Sequence, residues 1–404
     1  MKKIAFGVSM IAIAVAGQAH AAGYQLNEYS MTGLGRSFAG AGVVGDDYSA
    51  LAYNPAGMTL VKRSGFQAGM TMAEMASSIK GNESYQGQET KMHYGVALPS
   101  GFGHWNVNDK LFLGAGIYAP YGLSTKYKSS SFLSQAARKS ELEVIDSSLA
   151  AAYKLTDKLS LGATATLRYI HGNMTGNVVP TTTAGGDYNY DLDGWTGTGT
   201  IGAMYEFTPD TRIGLSYKFR SIQKVKGDFT INNFVFAGGN TLVFDGEASP
   251  DLPASVLFSA YHKLNDKIGL STSVRWTEWS KSFPEFIMES NDPSKTFNTN
   301  HPYKWRDSWT VAVGADYYFN DNWTFRVGTA YDQSPAADAE NRSNRIPDAD
   351  RIWLSAGLSY SADNWQVDAG IAHLFMKKAD IKIGVPAENS SYSNMYGLNF
   401  MYKF

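Results

Sequence analysis

The chain has 404 residues, with 35 basic and 37 acidic side chains and a formal net charge of −2. Its basic residues are scattered, so it lacks the concentrated cationic surface that binding nucleic acid requires. Cysteine is absent, which excludes disulfides, thiolate metal sites and cysteine nucleophiles and leaves either a hydrophobic core or a closed strand ladder to hold the fold.

Residues 1–21 read as a secretory signal. Lys2 and Lys3 form the charged start, Ile4 to Gly17 is an apolar core shorter than the roughly 20 residues a membrane helix needs, and Ala19-His20-Ala21 fits a small-x-small cleavage site. The mature chain is expected to begin at Ala22; Lys2 and Lys3 leave with the signal, so 33 basic residues stand against 37 acidic ones.

Residues 22–63 show none of the alternation of a strand. Gly33, Gly35, Gly40, Gly42 and Gly45 each weaken a helix or strand but allow close turns in a confined space. Asp46 or Asp47 is placed to cap a short helix through "YSALAYN", which Pro55 ends by pushing Asn54 out of helical geometry. Leu26, Leu34, Phe38, Val43, Val44, Leu51 and Met58 give the segment apolar surface to bury, unlike a disordered tail.

From Gly65 onward, alternating segments of roughly 10 to 15 residues are joined by connections that are by turns short and long, as in an up-and-down membrane barrel. The short ones, at 106–110, 156–158, 208–211, 265–267, 320–322 and 362–364, are rich in Asn and Asp, which suit tight turns. Between them the longer connections 77–90, 124–139, 174–189, 223–250, 281–302, 333–350 and 377–392 read as extracellular loops. Six turns and seven loops join fourteen strands, an even number, as closure of a barrel demands. In "WTFRVGTAYD" (323–332) Trp323, Phe325, Val327, Thr329 and Tyr331 share one face and Arg326 and Asp332 lie on the other, which suits lipid outside and a polar lumen inside. Trp323, Trp365, Tyr317 and Phe319 flank short turns, where an aromatic girdle meets the membrane interface. The chain ends "YGLNFMYKF", with Tyr396, Leu398, Phe400, Tyr402 and Phe404 in strict alternation, and resembles the terminal strand of bacterial outer-membrane barrels.

The opening "AGYQLNEYS…GLGR…AG…DD…NPA" resembles the N-terminus of the FadL-type long-chain fatty acid transporters of Gram-negative outer membranes. Similar segments follow at "YGLSTKY" (121–127), "WTEWS" (276–280), "DNWTFRVGTAYDQSP" (321–335) and "IPDADRIWLSAG" (346–357). The resemblance implies an all-β fold: a fourteen-stranded antiparallel transmembrane barrel over 64–404, with residues 22–63 as a plug, or hatch, of short helices in its lumen. Within that plug Gly33, Gly35, Arg36, Asn54, Pro55 and Ala56 are the expected functional positions. Irregular backbone survives at membrane depth only when buried in protein or facing water, and a lumen supplies both.

The resemblance further implies a strand kinked inward to open the barrel wall for sideways exit of substrate. Pro120, Tyr121 and Gly122 are the matching positions, and proline and glycine suit a broken ladder; Asn54-Pro55-Ala56 is expected to contact this break. Expected apolar ligand contacts are Tyr24 and Leu26 in the plug and Phe229, Phe234, Phe236 and Phe244 in "FTINNFVFAGGNTLVF" (229–244), an apolar run costly to leave in water. The third long connection, 174–189, is short and polar, whereas family members often place a long, partly helical loop there. Cationic lumen candidates for a substrate carboxylate are Arg168, Arg306 and Arg351, with Arg36 and His171 beside them, although each also suits pairing with an acid. No nucleophile motif or metal-ligand spacing is present, so neither an enzyme nor a cofactor is expected. The expected function is passive uptake of hydrophobic compounds by a monomer in the outer membrane, most simply long-chain fatty acids passing to membrane lipid. A channel for monoaromatic hydrocarbons and a surface adhesin or structural barrel are the open alternatives.

Overall fold

The computed structural model describes residues 23–179, 182–234, 240–282, 289–290 and 303–404; the expected signal segment and Phe236 lie outside them. Fourteen antiparallel strands form a closed wall. In chain order they are β1 (Gly65–Gly81), β2 (Glu89–Asn106), β3 (Leu111–Lys126), β4 (Lys139–Lys154), β5 (Leu159–Val179), β6 (Thr182–Thr208) and β7, which runs Thr211–Lys218 and resumes at Val225–Phe234. They continue as β8 (Asn240–Ala248, resuming at Ser255–Asn265), β9 (Ile268–Thr277), β10 (Ser308–Tyr318), β11 (Trp323–Asp332), β12 (Arg351–Ser361), β13 (Trp365–Met376) and β14 (Ala387–Lys403). The wall closes where β1 pairs with β14, from Gly65 opposite Lys403 to Gly81 opposite Ala387. All six expected short turns join consecutive strands. The outward faces carry the expected apolar rows: Phe325, Val327 and Tyr331 are exposed while Arg326, Ala330 and Asp332 on the opposite face are buried.

Two segments expected to be loops are instead strand. Met174 to Asn177 pair with Asp187 to Tyr190, and the resumed part of β7 pairs with the first part of β8, from Val225 opposite Ala248 to Ile231 opposite Leu242. Their Asn, Asp and Gly content reads as loop only locally; a ladder partner on either side overrides that preference.

Residues 24–60 fill the lumen. A short helix α1 (Met31–Gly35) starts at Ser30, whose hydroxyl accepts from the Gly33 amide at 2.9 Å. A second, α2 (Ala50–Tyr53), stops at extended Asn54, and a 3₁₀ turn (Pro55–Leu60) follows. Asp47 braces the start of α2 by accepting from the Ser49 amide (2.9 Å) and hydroxyl (2.6 Å), while Asp46 turns away to Arg36. Leu26, Met31, Leu34, Leu51 and Met58 are all buried, each adding about 1.5–3 kcal/mol relative to exposure.

The barrel makes room for this backbone by presenting glycine on neighbouring strands. On one side Gly314 and Gly328 stand opposite each other, as do Gly357 and Gly370. A Cβ at Gly314 would lie 2.9 Å from the Arg36 Cβ, and one at Gly357 2.9 Å from the Gly35 Cα. Across the lumen Gly162 pairs with Gly202, and a Cβ at Gly162 would meet the Ala56 amide nitrogen at 2.5 Å. Close packing leaves no slack for a displaced atom. Gly328→Val is therefore expected to leave the barrel folded, read as its shifted mobility on unboiled gels, while making Arg36 accessible to trypsin; a plug as resistant as wild type would contradict this placement.

Candidate functional site

Among the described residues, the ladder between neighbouring wall strands is interrupted between β2 and β3. Their ladder runs only from Gly101 opposite Ile117 to Asn106 opposite Phe112, and among the described residues no pair joins them beyond it. Both strands continue, with β2 still paired to β1 as far as Glu89 and β3 to β4 as far as Lys126. Against β4 the register of β3 shifts between Tyr118 and Tyr121, where Ala119 and Pro120 stand against Ile145 alone, one extra residue on β3. From there β3 turns into the lumen: Tyr118 to Thr125 are eight consecutive buried residues, where a barrel strand would alternate.

The freed edge of β3 is taken by the start of the plug. The Leu26 amide donates to the Pro120 carbonyl at 2.8 Å and the Gly122 amide to the Tyr24 carbonyl at 2.9 Å, which makes Gln25 and Tyr121 an antiparallel bridge. Proline needs no partner for a missing N–H, and here it supplies only its carbonyl. Gly122 has no side chain between β3 and the plug; a Cβ there would meet the Leu26 Cδ1 at 3.1 Å.

Above this junction lies a narrow apolar pocket, partly open to solvent, concave and lined mostly by apolar side chains as small-molecule sites are. Leu123 of β3, Leu142 of β4, Ile170 of β5, Leu192 of β6 and Val225 of β7 form its walls. Tyr24 lines it from the plug side, its ring edge-on to Trp279 at 4.7 Å with Trp305 5.9 Å and Tyr121 6.1 Å away. The Tyr121 ring is braced in turn by Arg168 at 5.2 Å and Lys218 at 5.3 Å. Gly23 holds the segment from the other end, its amide donating to Asp348 at 3.0 Å. Burial raises the Asp348 carboxyl above its ordinary value against the opposing pull of Arg351.

The structure brings Tyr24, Leu26, Pro120, Tyr121 and Gly122 together and leaves the other expected residues elsewhere. Asn54-Pro55-Ala56 does not touch Gly122: the Asn54 side-chain amide donates to the Ala203 carbonyl at 3.0 Å, and Pro55 and Ala56 pack on Gly162. That tripeptide follows the glycine bed of β5 and β6, which becomes apparent only once strand register is known. Phe229 and Phe244 are buried on the resumed hairpin of β7 and β8, where Phe229 stacks on Tyr190 at 4.2 Å and on Phe244 at 5.6 Å. They back the pocket through Tyr190 and do not line it. Phe234 ends β7 and its side chain lies outside the described residues.

The cationic candidates all face acids. Arg168 grips Asp146 with two bonds of 2.6 and 2.8 Å. Arg351 pairs with Asp348 and Asp332, and Arg306 lies 3.8 Å from Asp350 and donates to the Ser334 carbonyl. His171 meets Asp191 at 2.9 Å. Arg36 bonds Asp46 at 2.7 Å and Asp316 at 2.8 Å, and Arg326 bridges the same two carboxylates at 3.1 Å each. This group ties plug to wall, because Arg36 and Asp46 belong to the first and Asp316 and Arg326 to the second. The pocket's own cation is Arg345, which the sequence did not single out.

A family model described as outer membrane protein transport protein (OMPP1/FadL/TodX) matches residues 12–404. The outer membrane protein P1 of Haemophilus influenzae is 30% identical over an alignment of 470 residues that covers 100% of both chains. The long-chain fatty acid transport protein of Escherichia coli (strain K12) is 29% identical, again over 100% of both. Among solved structures, a Pseudomonas aeruginosa FadL homologue superposes with a TM-score of 0.86 at 24% identity, covering 95% of this chain and 100% of that one. The Pseudomonas putida toluene transporter TodX gives 0.72 at 19% identity, with 95% and 100% covered; both likenesses concern the fold.

Removing one partner from a buried ionic group costs about 3–5 kcal/mol because it leaves charge uncompensated. Arg36→Ala should accordingly loosen the plug, not the wall, and raise single-channel conductance in planar bilayers well above the wild-type level at unchanged gel mobility.

Proposed function

Since this chain belongs to the OMPP1/FadL/TodX family of outer-membrane transport proteins, we propose that it takes up long-chain fatty acids and releases them sideways through the break between β2 and β3. It is an outer-membrane transporter of hydrophobic compounds in Gram-negative cells, not an enzyme. Fatty acids are favoured over monoaromatic hydrocarbons because a relative aligned over the whole chain at 29% identity is named for them, whereas the toluene transporter is only 19% identical.

In this reading residues 1–21 are cleaved, residues 22–63 are the plug and residues 64–404 the barrel, acting as a monomer. The single observation that carries it is the plug strand Tyr24–Leu26 on the freed edge of β3, directly beside the apolar pocket. A fatty acid enters from the extracellular ends of β4 to β7 and displaces Tyr24 from Trp279. The Leu26 and Gly122 bonds then part, and the alkyl chain passes between β2 and β3 into membrane lipid. The energies match: two hydrogen bonds contribute about 1–3 kcal/mol net, and burying about 100 Å² of alkyl surface supplies about 2.5 kcal/mol. Diffusion down a gradient is sufficient drive.

The bond pattern makes Gln25 and Tyr121 a non-hydrogen-bonded pair, with Cα atoms about 4.5 Å apart and so within disulfide reach. The chain has no cysteine of its own. With Gln25→Cys and Tyr121→Cys combined, oxidised cells should lose uptake of labelled oleate and regain it on reduction. Equal uptake in both redox states would refute lateral release through this junction.

A further inference from the structure

We propose that Arg345 reads the carboxylate of the substrate and so makes the pocket selective for fatty acid anions over uncharged molecules of the same size. This rests on the uptake reading above and adds the determinant of substrate class. Arg345 belongs to the connection between β11 and β12, lines the apolar pocket and is only 7% exposed. Among the described residues its guanidinium is held by neutral groups. Nη1 donates to the Ser140 hydroxyl at 2.8 Å and to the carbonyls of Lys139 (3.0 Å) and Thr175 (3.3 Å). Nη2 donates to the carbonyls of Ala136 (3.1 Å) and Thr175 (3.3 Å) and to the Tyr188 hydroxyl.

Among the described residues no carboxylate lies within ion-pair distance of Arg345, whereas Arg36, Arg168, Arg326 and Arg351 each have one. Glu141, the pocket's acid, is paired with Lys139 at 2.5 Å. A buried charge facing only dipoles is poorly compensated, and an incoming anion improves its state. The Nε–H makes no hydrogen bond among the described residues, and the Ser140 and Tyr188 hydroxyls, which also line the pocket, can turn to donate. One donor of fixed charge and two adaptable hydroxyls suit a carboxylate; Leu123, Leu142, Ile170, Leu192 and Val225 suit the alkyl chain behind it. A neutral hydrocarbon would fill the same walls and leave the guanidinium as it was.

The test is equilibrium binding of oleate and of methyl oleate to the full-length protein in nanodiscs at pH 8, for wild type, Arg345→Gln and Arg345→Lys. Charge-assisted hydrogen bonds are the strong ones, so Arg345→Gln should weaken oleate binding by about tenfold or more, leave methyl oleate within about twofold, and be largely rescued by Arg345→Lys. Equal losses for both ligands would mean that Arg345 only holds its loop, and unchanged oleate binding would mean that it reads nothing; either overturns the proposal. Methyl oleate bound by wild type as tightly as oleate overturns it too while leaving hydrophobic uptake intact. A wild-type protein that binds neither overturns the uptake reading and this proposal together.

Discussion

Backbone amides and carbonyls at membrane depth must have partners inside the protein, because lipid supplies none. Most of this barrel meets that demand with an unbroken ladder. Between β2 and β3 it does not, since pairing stops at Gly101 and Ile117 while both strands run on. The edge of β3 can exist there only because it bends into the lumen and meets backbone from Tyr24 to Leu26. The plug is thus also part of the wall, standing in for a missing strand, and opening the wall and moving the plug become one event.

Anchoring along the plug is uneven in a way that suits such an event. Its middle is fixed by the Arg36, Asp46, Asp316 and Arg326 group and by backbone lying flush against glycine on β5, β6, β10 and β11. Its first residues are held by two backbone bonds to β3, one amide bond to Asp348, a bond from the Thr277 hydroxyl to the Gln25 side chain at 3.3 Å and the aromatic contacts of Tyr24. Breaking the central group costs several kcal/mol, whereas two backbone bonds cost about 1–3 kcal/mol. A ligand of modest affinity can shift the second equilibrium but not the first, so motion is confined to the residues that touch both pocket and break.

Much of the fold could be read beforehand because membrane strands obey a period of two and the short turns have a distinctive chemistry. Pro120 and Gly122 were legible as a weak point for the same local reason. What escaped were features created by distant neighbours. Segment 174–189 looks like a loop until its partners β4 and β7 are known to extend beside it. Asn54-Pro55-Ala56 looks free to meet Gly122 until Gly162 and Gly202 are seen to form its bed. Arg168, Arg306 and Arg351 read equally as carboxylate readers or as partners of acids, because sequence lists cations without their partners, and the fold sets an acid beside each.

Arg345 is the clearest case of that limit. Nothing in "NRSNRIP" separates it from Arg342, three residues earlier. Arg342 spends its donors on the carbonyls of Asp348, Asp380 and Ala336, close to the charges of Asp348 and Asp350, and so serves as a strut. Arg345 reaches instead to β4, β5 and β6, to residues more than 150 positions away, and arrives at an apolar pocket with no carboxylate paired to it among the described residues. A cation is made functional here by what the fold withholds from it, and a withheld partner is a property of tertiary placement that no local pattern encodes.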